Sequence, residues 1–164
     1  MSSASLHKKT VWNSSPEELG LTADQLQTEQ NWIKTFNEAC DALSWEKWQV
    51  FWADDAFLKW GHRLYVEGMP ALTEHLDSHM IKSFQSFKTE VTCHSLDVPQ
   101  GLIYQKADLT RVVKGDPQAQ EILTPVMMVI HKKPGESKMR GLEVFGDMTP
   151  LEEKIKAVMG KSPI

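Results

Sequence analysis

Three titratable side chains in this sequence could take part in proton transfer. His94 lies in a stretch that alternates like a β-strand, in phase with Thr92 and Leu96, and an imidazole with a pKa of about 6.5 exchanges protons near neutral pH. Asp41 lies at the edge of an apolar helical stripe, where a carboxylate could act as a base or orient His94. Glu143 lies in an apolar strand, where burial would raise its pKa and suit it to acid–base work. Together they predict proton transfer, and the alternative at each position is an ordinary core or surface residue.

Two histidines could bind a metal ion, because His75 and His79 are spaced to share one face of a predicted helix. The residue after His75 is Leu76 rather than glutamate, so the zinc-protease motif is not matched. No cluster of cysteine, aspartate or histidine in the sequence supplies a third ligand. We therefore expect this pair to be structural or exposed, and we expect no metal and no cofactor. The sequence also has no nucleophile motif, phosphate-binding loop or dinucleotide fingerprint.

The elements that position these residues begin with an aromatic segment, residues 45–60, which holds four of the six tryptophans. Its first half has the spacing of one helical stripe, formed by Trp45, Trp48, Phe51 and Trp52. After the acidic break Ala53-Asp-Asp-Ala56, residues 57–60 have the composition of a strand. An earlier helix begins with a capping box at Thr22, and a third helix begins near Gly68. The N-terminal half is thus predicted to contain three helices, with short strands between the last two.

From Lys88 onward the pattern is typical of β-strands, and glycine or proline marks each break. The predicted strands are residues 89–98, 102–113, 121–133 and 138–147, and a terminal helix follows at 150–159. This order predicts an α+β fold, a cone-shaped roll in which a curved, mostly antiparallel sheet wraps around three N-terminal helices. Residues 1–21 are predicted to form a polar extension, and residues 22–160 the folded domain.

A strongly bent sheet leaves an apolar hollow between its curved face and the helices, and such hollows commonly bind small molecules. We expect aromatic and histidine side chains near that space to contact a small hydrophobic or polycyclic ligand. The candidates are Phe36, Trp48, Trp52, Trp60, His62, Tyr65 and Tyr104. For the tryptophans, the alternative is a purely structural role in the core.

Length and charge narrow the classes of function. The 164 residues correspond to one domain, and 41% apolar and 24% charged residues are typical of a globular protein. A net charge of −4 and the lack of a basic run argue against binding to nucleic acid or to an anionic membrane. No apolar run reaches the roughly 18 residues of a membrane span, and the N-terminus lacks the apolar core of a secretory signal. We therefore expect a cytoplasmic protein in which Cys40 and Cys93 form no disulfide.

The order of these motifs resembles the nuclear transport factor 2-like (NTF2-like) superfamily, closest to its SnoaL-like branch. The resemblance covers roughly residues 22–155 and is strongest in the aromatic helix, in Ala53-Asp-Asp-Ala56, in residues 68–75 and in residues 141–147. It implies the same cone-shaped α+β fold. The superfamily includes ketosteroid isomerase, scytalone dehydratase, polyketide cyclases, epoxide hydrolases and non-catalytic binding modules, so the fold does not select one activity.

Residue-by-residue comparison argues against the mechanism of ketosteroid isomerase. The tyrosine that serves that enzyme as oxyanion donor corresponds to Phe36, which has no hydroxyl group. Its aspartate base corresponds to Trp60, and its second, protonated aspartate to a position near Pro125. None of these side chains can perform the corresponding step.

The site of scytalone dehydratase is matched in part. Its Tyr-Asp pair corresponds to Cys40-Asp41, which keeps the acid and loses the phenol, and one of its catalytic histidines corresponds to His94. Its second histidine has no clear counterpart, since the nearby residues are Tyr104 and Gln105. The resemblance therefore implies half of that site.

Three functions remain open. The first is a lyase or isomerase without a cofactor, a dehydratase, isomerase or cyclase in which His94 works with Asp41 or Glu143. The second is a non-catalytic ligand-binding protein of the same fold, which Phe36 and Trp60 favour because they bind without reacting. The third is a structural or interaction module whose cone is filled by its own tryptophans. Members of the superfamily commonly dimerise through the outer face of the sheet, so the resemblance also implies a homodimer.

Overall fold

The computed structural model describes residues 11–12 and 14–160, in which helices cover one face of a seven-stranded sheet. The helices are α1 (Pro16–Leu19), α2 (Ala23–Asp41), α3 (Trp45–Trp48), α4 (Met69–Thr73, continued by a π-helical turn at Glu74–Met80 and a 3-10 turn at Ile81–Ser83) and α5 (Thr149–Met159). The strands are β1 (Val11–Trp12), β2 (Trp52–Trp60), β3 (Leu64–Glu67), β4 (Phe84–Asp97), β5 (Leu102–Val113), β6 (Glu121–His131) and β7 (Met139–Phe145). None of the helices in these ranges is long and apolar enough to cross a bilayer.

The sheet has the strand order β1-β4-β5-β6-β7-β2-β3. The pairs β1/β4 and β2/β7 are parallel, and the other neighbouring pairs are antiparallel. This arrangement confirms the predicted α+β roll with a mostly antiparallel sheet. We call the face that the helices cover the inner face, and the opposite face the outer face.

The inner face carries one row of side chains that crosses five strands. The pairing register places His94, Gln105, Met128, Val144 and Trp60 side by side on β4, β5, β6, β7 and β2. His94 and Gln105 are polar and buried, whereas the rest of the row is apolar. The polar side chains of this row are therefore confined to its end near the β4 edge.

Helix α2 forms where the sequence predicts it, because its start has favourable local chemistry. The Thr22 hydroxyl accepts the N–H of Gln25 at 3.1 Å, and the Gln25 side chain accepts the N–H of Thr22 at 2.8 Å, which completes a capping box. Leu26, Ile33 and Phe36 are buried on the face toward the sheet. The helix is thereby fixed across the inner face, with its polar edge toward β4.

A buried ion pair, which we call the α2 clamp, joins this helix to the turn after β6. Lys132 Nζ donates to Glu29 Oε2 at 2.5 Å, and the two side chains are 0% and 2% exposed. Glu29 Oε1 also accepts the N–H of Gly135 at 2.8 Å, and the ammonium group lies 5.0 Å from the centre of the Trp32 ring. Buried charges are tolerated when they are paired and further hydrogen-bonded in this way.

Three element boundaries differ from the sequence prediction. Helix α3 ends at Trp48, a 3-10 turn follows at Gln49–Phe51, and β2 already begins at Trp52. The register between β2 and β7 shifts between Trp52 and Phe57, so the predicted acidic break is an irregular part of one strand. Strand β4 begins at Phe84, before the predicted start at residue 89.

A β-bulge in β4 changes the phase of the side chains before His94. Val91 pairs with Ala107 and His94 pairs with Gln105, and these two partners lie on the same face of β5. Val91 therefore shares the inner face with His94. The predicted phase match between Thr92 and His94 is wrong, because the bulge inserts an extra residue between them.

Part of the predicted N-terminal extension joins the domain. Strand β1 lies parallel to the edge strand β4, and its register places Trp12 opposite His94. Helix α1 begins with a second capping box, in which Ser15 and Glu18 exchange hydrogen bonds. Of the predicted extension, residues 1–10 and residue 13 lie outside the described residues.

Candidate functional site

The space between the helices and the sheet is almost filled by the protein's own side chains. The cavity at its centre has a volume of about 30 Å³, which is room for about one water molecule. Aromatic and aliphatic side chains form most of its lining, among them Phe36, Trp48, Trp60, Met128 and Val144. A polycyclic ligand has no room at this place unless these side chains move.

The tryptophans of this core bury three indole N–H groups, those of Trp48, Trp52 and Trp60, which have no hydrogen-bond partner among the described residues. Trp52 is fully buried and packs against Trp45 and Trp48, with ring centroids 6.4 and 5.4 Å apart. Of the predicted ligand contacts, Phe36, Trp48 and Trp60 line the small cavity, whereas Trp52 does not. The aromatic residues are thus mainly a packed core.

A larger and more polar space lies between α2 and β4. This α2–β4 groove has a volume of about 410 Å³. Helix α2 contributes Gln27, Gln30, Asn31, Ile33, Lys34, Asn37, Glu38 and Asp41 to its lining, and β1 and β4 contribute Trp12, Thr89, Val91 and His94. The groove therefore brings together two of the three side chains that the sequence predicts to transfer protons, His94 and Asp41.

A chain of side-chain amides holds His94. Its Nε2 lies 2.8 Å from Oε1 of Gln105, and Gln105 and Asn37 exchange amide hydrogen bonds of 2.9 and 3.0 Å. Gln105 Oε1 accepts a hydrogen bond from Asn37. Because an amide oxygen can only accept, the contact with His94 requires the proton of the neutral imidazole to be on Nε2. Nδ1 is then the unprotonated nitrogen, and it has no hydrogen-bond partner among the described residues.

Trp12 covers the imidazole of His94. The two rings are stacked with centroids 4.4 Å apart at an interplanar angle of 28°, and His94 is 4% exposed. Burial lowers the pKa of His94 below its ordinary value, and the hydrogen bond to Gln105 partly opposes that shift. The imidazole is therefore neutral at neutral pH, and its lone pair can accept a proton.

Asp41 lies in the same groove but is not bonded to His94. Its carboxylate accepts the N–H of Thr89 at 3.0 Å and the hydroxyl of Thr89 at 2.7 Å. Thr89 and His94 are separated along β4 by roughly 16 Å at about 3.3 Å per residue. The expectation that Asp41 orients His94 is therefore corrected: Gln105 performs that role. Burial raises the pKa of Asp41, although the Thr89 hydrogen bonds oppose the shift.

Glu143 does not belong to this site. It lies on the outer face, where Lys59 Nζ donates to its carboxylate at 3.1 Å and His131 Nε2 lies 2.9 Å away. The hydrogen bond from His131 and then that from Lys59 lower the pKa of Glu143, in spite of partial burial. The expectation that Glu143 points into the cone is wrong, because Leu142 and Val144 occupy the inner positions of β7.

Three predicted ligand contacts also lie away from the cone. Tyr65 is exposed on the outer face and donates a hydrogen bond to Glu67 at 3.0 Å. Tyr104 alternates with the inward-facing Gln105, and so faces the outer side. His62 is exposed in the turn between β2 and β3 and lines a separate surface cleft of about 200 Å³. Tyr65 and Tyr104 are corrected because sequence alternation alone did not fix which face of a strand is inside, and His62 because the turn after β2 carries it away from the cone.

The remaining candidates are the histidine pair in the π-helical turn that continues α4, and the two cysteines. The rings of His75 and His79 have centroids 6.3 Å apart, and His79 Nδ1 lies 2.8 Å from the carbonyl oxygen of Glu74. In residues 11–12 and 14–160, no group of three or more metal-ligating side chains is arranged to hold an ion. Cys40 and Cys93 form no disulfide, and burial raises the pKa of the Cys40 thiol, which keeps it protonated.

Sequence reasoning missed two residues that line the groove, Asn37 and Trp12, and the residue that holds His94 there, Gln105. Gln105 alternates with the apolar Ile103 and Ala107 along β5, and a polar side chain in that phase was a detectable signal. Asn37 is the partner such a buried amide needs. Nothing in the sequence pattern indicated that Trp12 lies at the site, because it belongs to a polar segment and its strand is only two residues long.

Comparison with known proteins identifies the fold but not the activity. The chain matches no protein-family model and no curated protein. One similar solved structure is SalBIII, an epoxide hydrolase/cyclase-like enzyme with a role in pyran ring formation in the polyether salinomycin. The two chains are 14% identical with a TM-score of 0.65, over 76% of this chain and 94% of SalBIII.

Two further structures are candidate polyketide cyclases. The SnoaL-like protein from Jannaschia sp. CCS1 is 11% identical with a TM-score of 0.62, over 82% of this chain and 94% of that one. The protein from Xanthomonas campestris pv. campestris is 11% identical with a TM-score of 0.65, over 80% of this chain and 98% of that one. Likeness at these identities shows the fold alone, so the resemblance to the NTF2-like superfamily and its SnoaL-like branch is confirmed as a likeness of fold.

Proposed function

We propose that this chain, which has the NTF2-like fold, is an acid–base enzyme without a cofactor, a lyase or isomerase whose site is the α2–β4 groove. The observation that carries the proposal is the Nδ1 atom of His94, which is buried and without a hydrogen-bond partner among the described residues, and which is the basic nitrogen when Nε2 donates to Gln105. A buried polar atom left unpaired costs about 1–3 kcal/mol, so its presence calls for a reason. A substrate that brings a proton to this atom supplies one.

In the proposed reaction, His94 removes a proton from a carbon beside a carbonyl group of the substrate. The proton goes to Nδ1, and the electron pair of the C–H bond passes to the carbonyl oxygen, which becomes an enolate. The lowered pKa of His94 keeps the imidazole in its basic form at neutral pH. The imidazolium that forms is stabilised by the face of Trp12 and by Oε1 of Gln105, which already accepts the Nε2 proton.

The polar edge of α2 offers groups for the enolate oxygen. Asn31 and Lys34 line the groove, and amide N–H and ammonium groups attract the negative charge that develops there. Lys34 contacts Glu38 at 3.9 Å, but both side chains are largely exposed, so this ion pair is weak. Lys34 can therefore turn toward a substrate at little energetic cost.

Asp41 is the proposed proton donor for the second half of the reaction. Burial raises the pKa of this carboxyl, which increases its protonated fraction compared with that of an exposed aspartate. Because Asp41 and His94 lie at different positions along the groove, the substrate must be long enough to reach both. A groove of about 410 Å³ falls in the range of small-molecule sites, whereas the cavity of about 30 Å³ in the core does not.

Exchange of α-protons in deuterium oxide tests this proposal, because it detects proton abstraction without knowledge of the product. Cyclic ketones such as α-tetralone are incubated with the protein, and the loss of the α-proton signal is followed by proton NMR. We expect the wild-type protein and a His131→Gln control on the outer face to accelerate exchange. His94→Gln should abolish it while folding and ligand binding persist. Equal exchange by wild type and His94→Gln would refute the assignment of the base.

A non-catalytic ligand-binding protein is the second candidate, and one observation favours it. Trp12 stacks on His94 and leaves it 4% exposed, so a ligand could occupy the groove without reaching Nδ1. For a binding protein, we expect the same ketones to quench tryptophan fluorescence until the site is saturated, without accelerating α-proton exchange. Replacing Trp12 by alanine would then change the affinity, because Trp12 lines the groove.

A further inference from the structure

Arg111 is a buried cation with no anion beside it. Its side chain projects from β5 onto the inner face and is 1% exposed. No carboxylate of the described residues pairs with the guanidinium, and its Nε–H has no hydrogen-bond partner among them. Buried charges are normally paired, because an isolated one is costly to remove from water. Arg111 therefore lacks the negatively charged partner that a buried cation normally has.

The groups that contact the guanidinium are neutral. Nη2 donates to the hydroxyl of Thr124 at 2.6 Å, while Nη1 and Nη2 lie 3.6 and 3.5 Å from the sulfur of Met148. The rings of Phe84 and Phe87 have centroids 5.9 and 5.8 Å from Cζ. Burial lowers the pKa of Arg111 to about 10, so the side chain still carries its charge at neutral pH.

One small cavity adjoins Arg111, and two of its lining side chains also line a surface cleft. A cavity of about 30 Å³ is lined by Arg111, His75, Trp60 and Met148 among others. Trp60 and Met148 also line the surface cleft of about 200 Å³ that lies between the turn after β2 and the segment after β7. Methionine is unbranched and has three rotatable side-chain bonds, so a change of the Met148 rotamer can connect the cleft with the cavity.

We propose that Arg111 is the recognition group of a buried subsite for a small carboxylate, which enters from this cleft when Met148 moves. The methionine sulfur now lies within reach of both Nη1 and Nη2, where a carboxylate would accept two parallel N–H bonds. A carboxylate in place of this weak acceptor would neutralise the buried charge and strengthen both hydrogen bonds. The cavity admits a head group only, which selects short monocarboxylates over bulky acids. This subsite is separate from the α2–β4 groove.

Thermal unfolding in acetate tests the proposal. Sodium acetate replaces sodium gluconate at constant ionic strength and pH 7, so that a carboxylate small enough to enter replaces one that is too bulky. We expect the Tm of the wild-type protein to rise with the logarithm of the acetate concentration above its Kd, and to be about 3–6 °C higher when acetate reaches tenfold its Kd. Arg111→Met should not respond, whereas Arg140→Met, which removes a charge from an exposed position, should respond like wild type.

Two outcomes would overturn the proposal. They are no acetate response in the wild-type protein, and the same response in Arg111→Met. If Arg111→Met does not fold, Met148→Ala and Met148→Leu decide the question in a chain that keeps the arginine. Met148→Ala opens the path and should bind acetate severalfold more tightly than Met148→Leu, which keeps the volume; equal affinities would refute the entry route and the subsite.

Discussion

Replacement of Lys132 by methionine should destabilise the protein strongly, because it breaks the α2 clamp from one side. Glu29 would stay buried with the N–H of Gly135 as its remaining donor. Removing one partner of a buried ion pair costs about 3–5 kcal/mol. Methionine keeps an apolar contact with Trp32, so we expect a loss of free energy of unfolding near the lower end of that range. At about 2–4 °C per kcal/mol for a chain of this size, the Tm should fall by roughly 6–12 °C.

Urea unfolding followed by circular dichroism and tryptophan fluorescence measures this loss. The double variant Glu29→Gln/Lys132→Met removes both charges and keeps an acceptor for Gly135, so it should recover at least about 1 kcal/mol of the loss. Lys133→Met, at the exposed neighbouring position, is the control and should stay within about 0.5 kcal/mol of wild type. A Lys132→Met protein as stable as this control would show that the buried pair does not hold α2.

Three further predictions concern pH, packing and assembly. Because the pKa of His94 is lowered in the folded protein, the unfolded chain binds a proton at mildly acidic pH that the folded chain does not. The stability of wild type relative to His94→Gln should therefore fall as the pH drops from about 7 to 5. Urea unfolding midpoints that change with pH by the same amount in both proteins would contradict this. Gly141→Ala should cost about 1–3 kcal/mol, measured by urea unfolding, because a Cβ there would overlap the Phe57 ring; an unchanged midpoint would disprove the overlap. The exposed fractions of Met127 and Phe145 on the outer face, 41% and 43%, fit the proposed homodimer, so light scattering should give twice the chain mass of 18.7 kDa for wild type and the monomer mass for Met127→Glu. A wild-type monomer would reject the dimer.

The sequence was sufficient to predict the fold because its signals are local and agree with one another. The capping box at Thr22, the apolar stripe of α2 and the alternation in β5 and β6 each have a physical cause within a few residues. Glycine and proline mark the turns between the long strands. The parallel pair of β2 and β7 depends on distant parts of the chain, and no local pattern predicts it.

The site was predicted in part, and the errors have a common cause. His94 and Asp41 lie in one groove, but the face of each strand depends on register, which one bulge after Val91 changes. Glu143 was a candidate because it lies in an apolar strand, although its apolar neighbours are themselves the inward residues of β7. Contacts such as that between Trp12 and His94 join distant segments, so they cannot be predicted from local composition.

The protonation state of His94 tests the central claim most directly. Long-range proton–nitrogen correlation NMR on ¹⁵N-labelled protein distinguishes the two neutral tautomers and the imidazolium, and His94→Gln assigns the signal. We predict a neutral ring at pH 7 with the proton on Nε2, since Gln105 accepts it, and an unprotonated Nδ1. A proton on Nδ1, or a charged ring at pH 7, would contradict the assignment of His94 as the base in the α2–β4 groove.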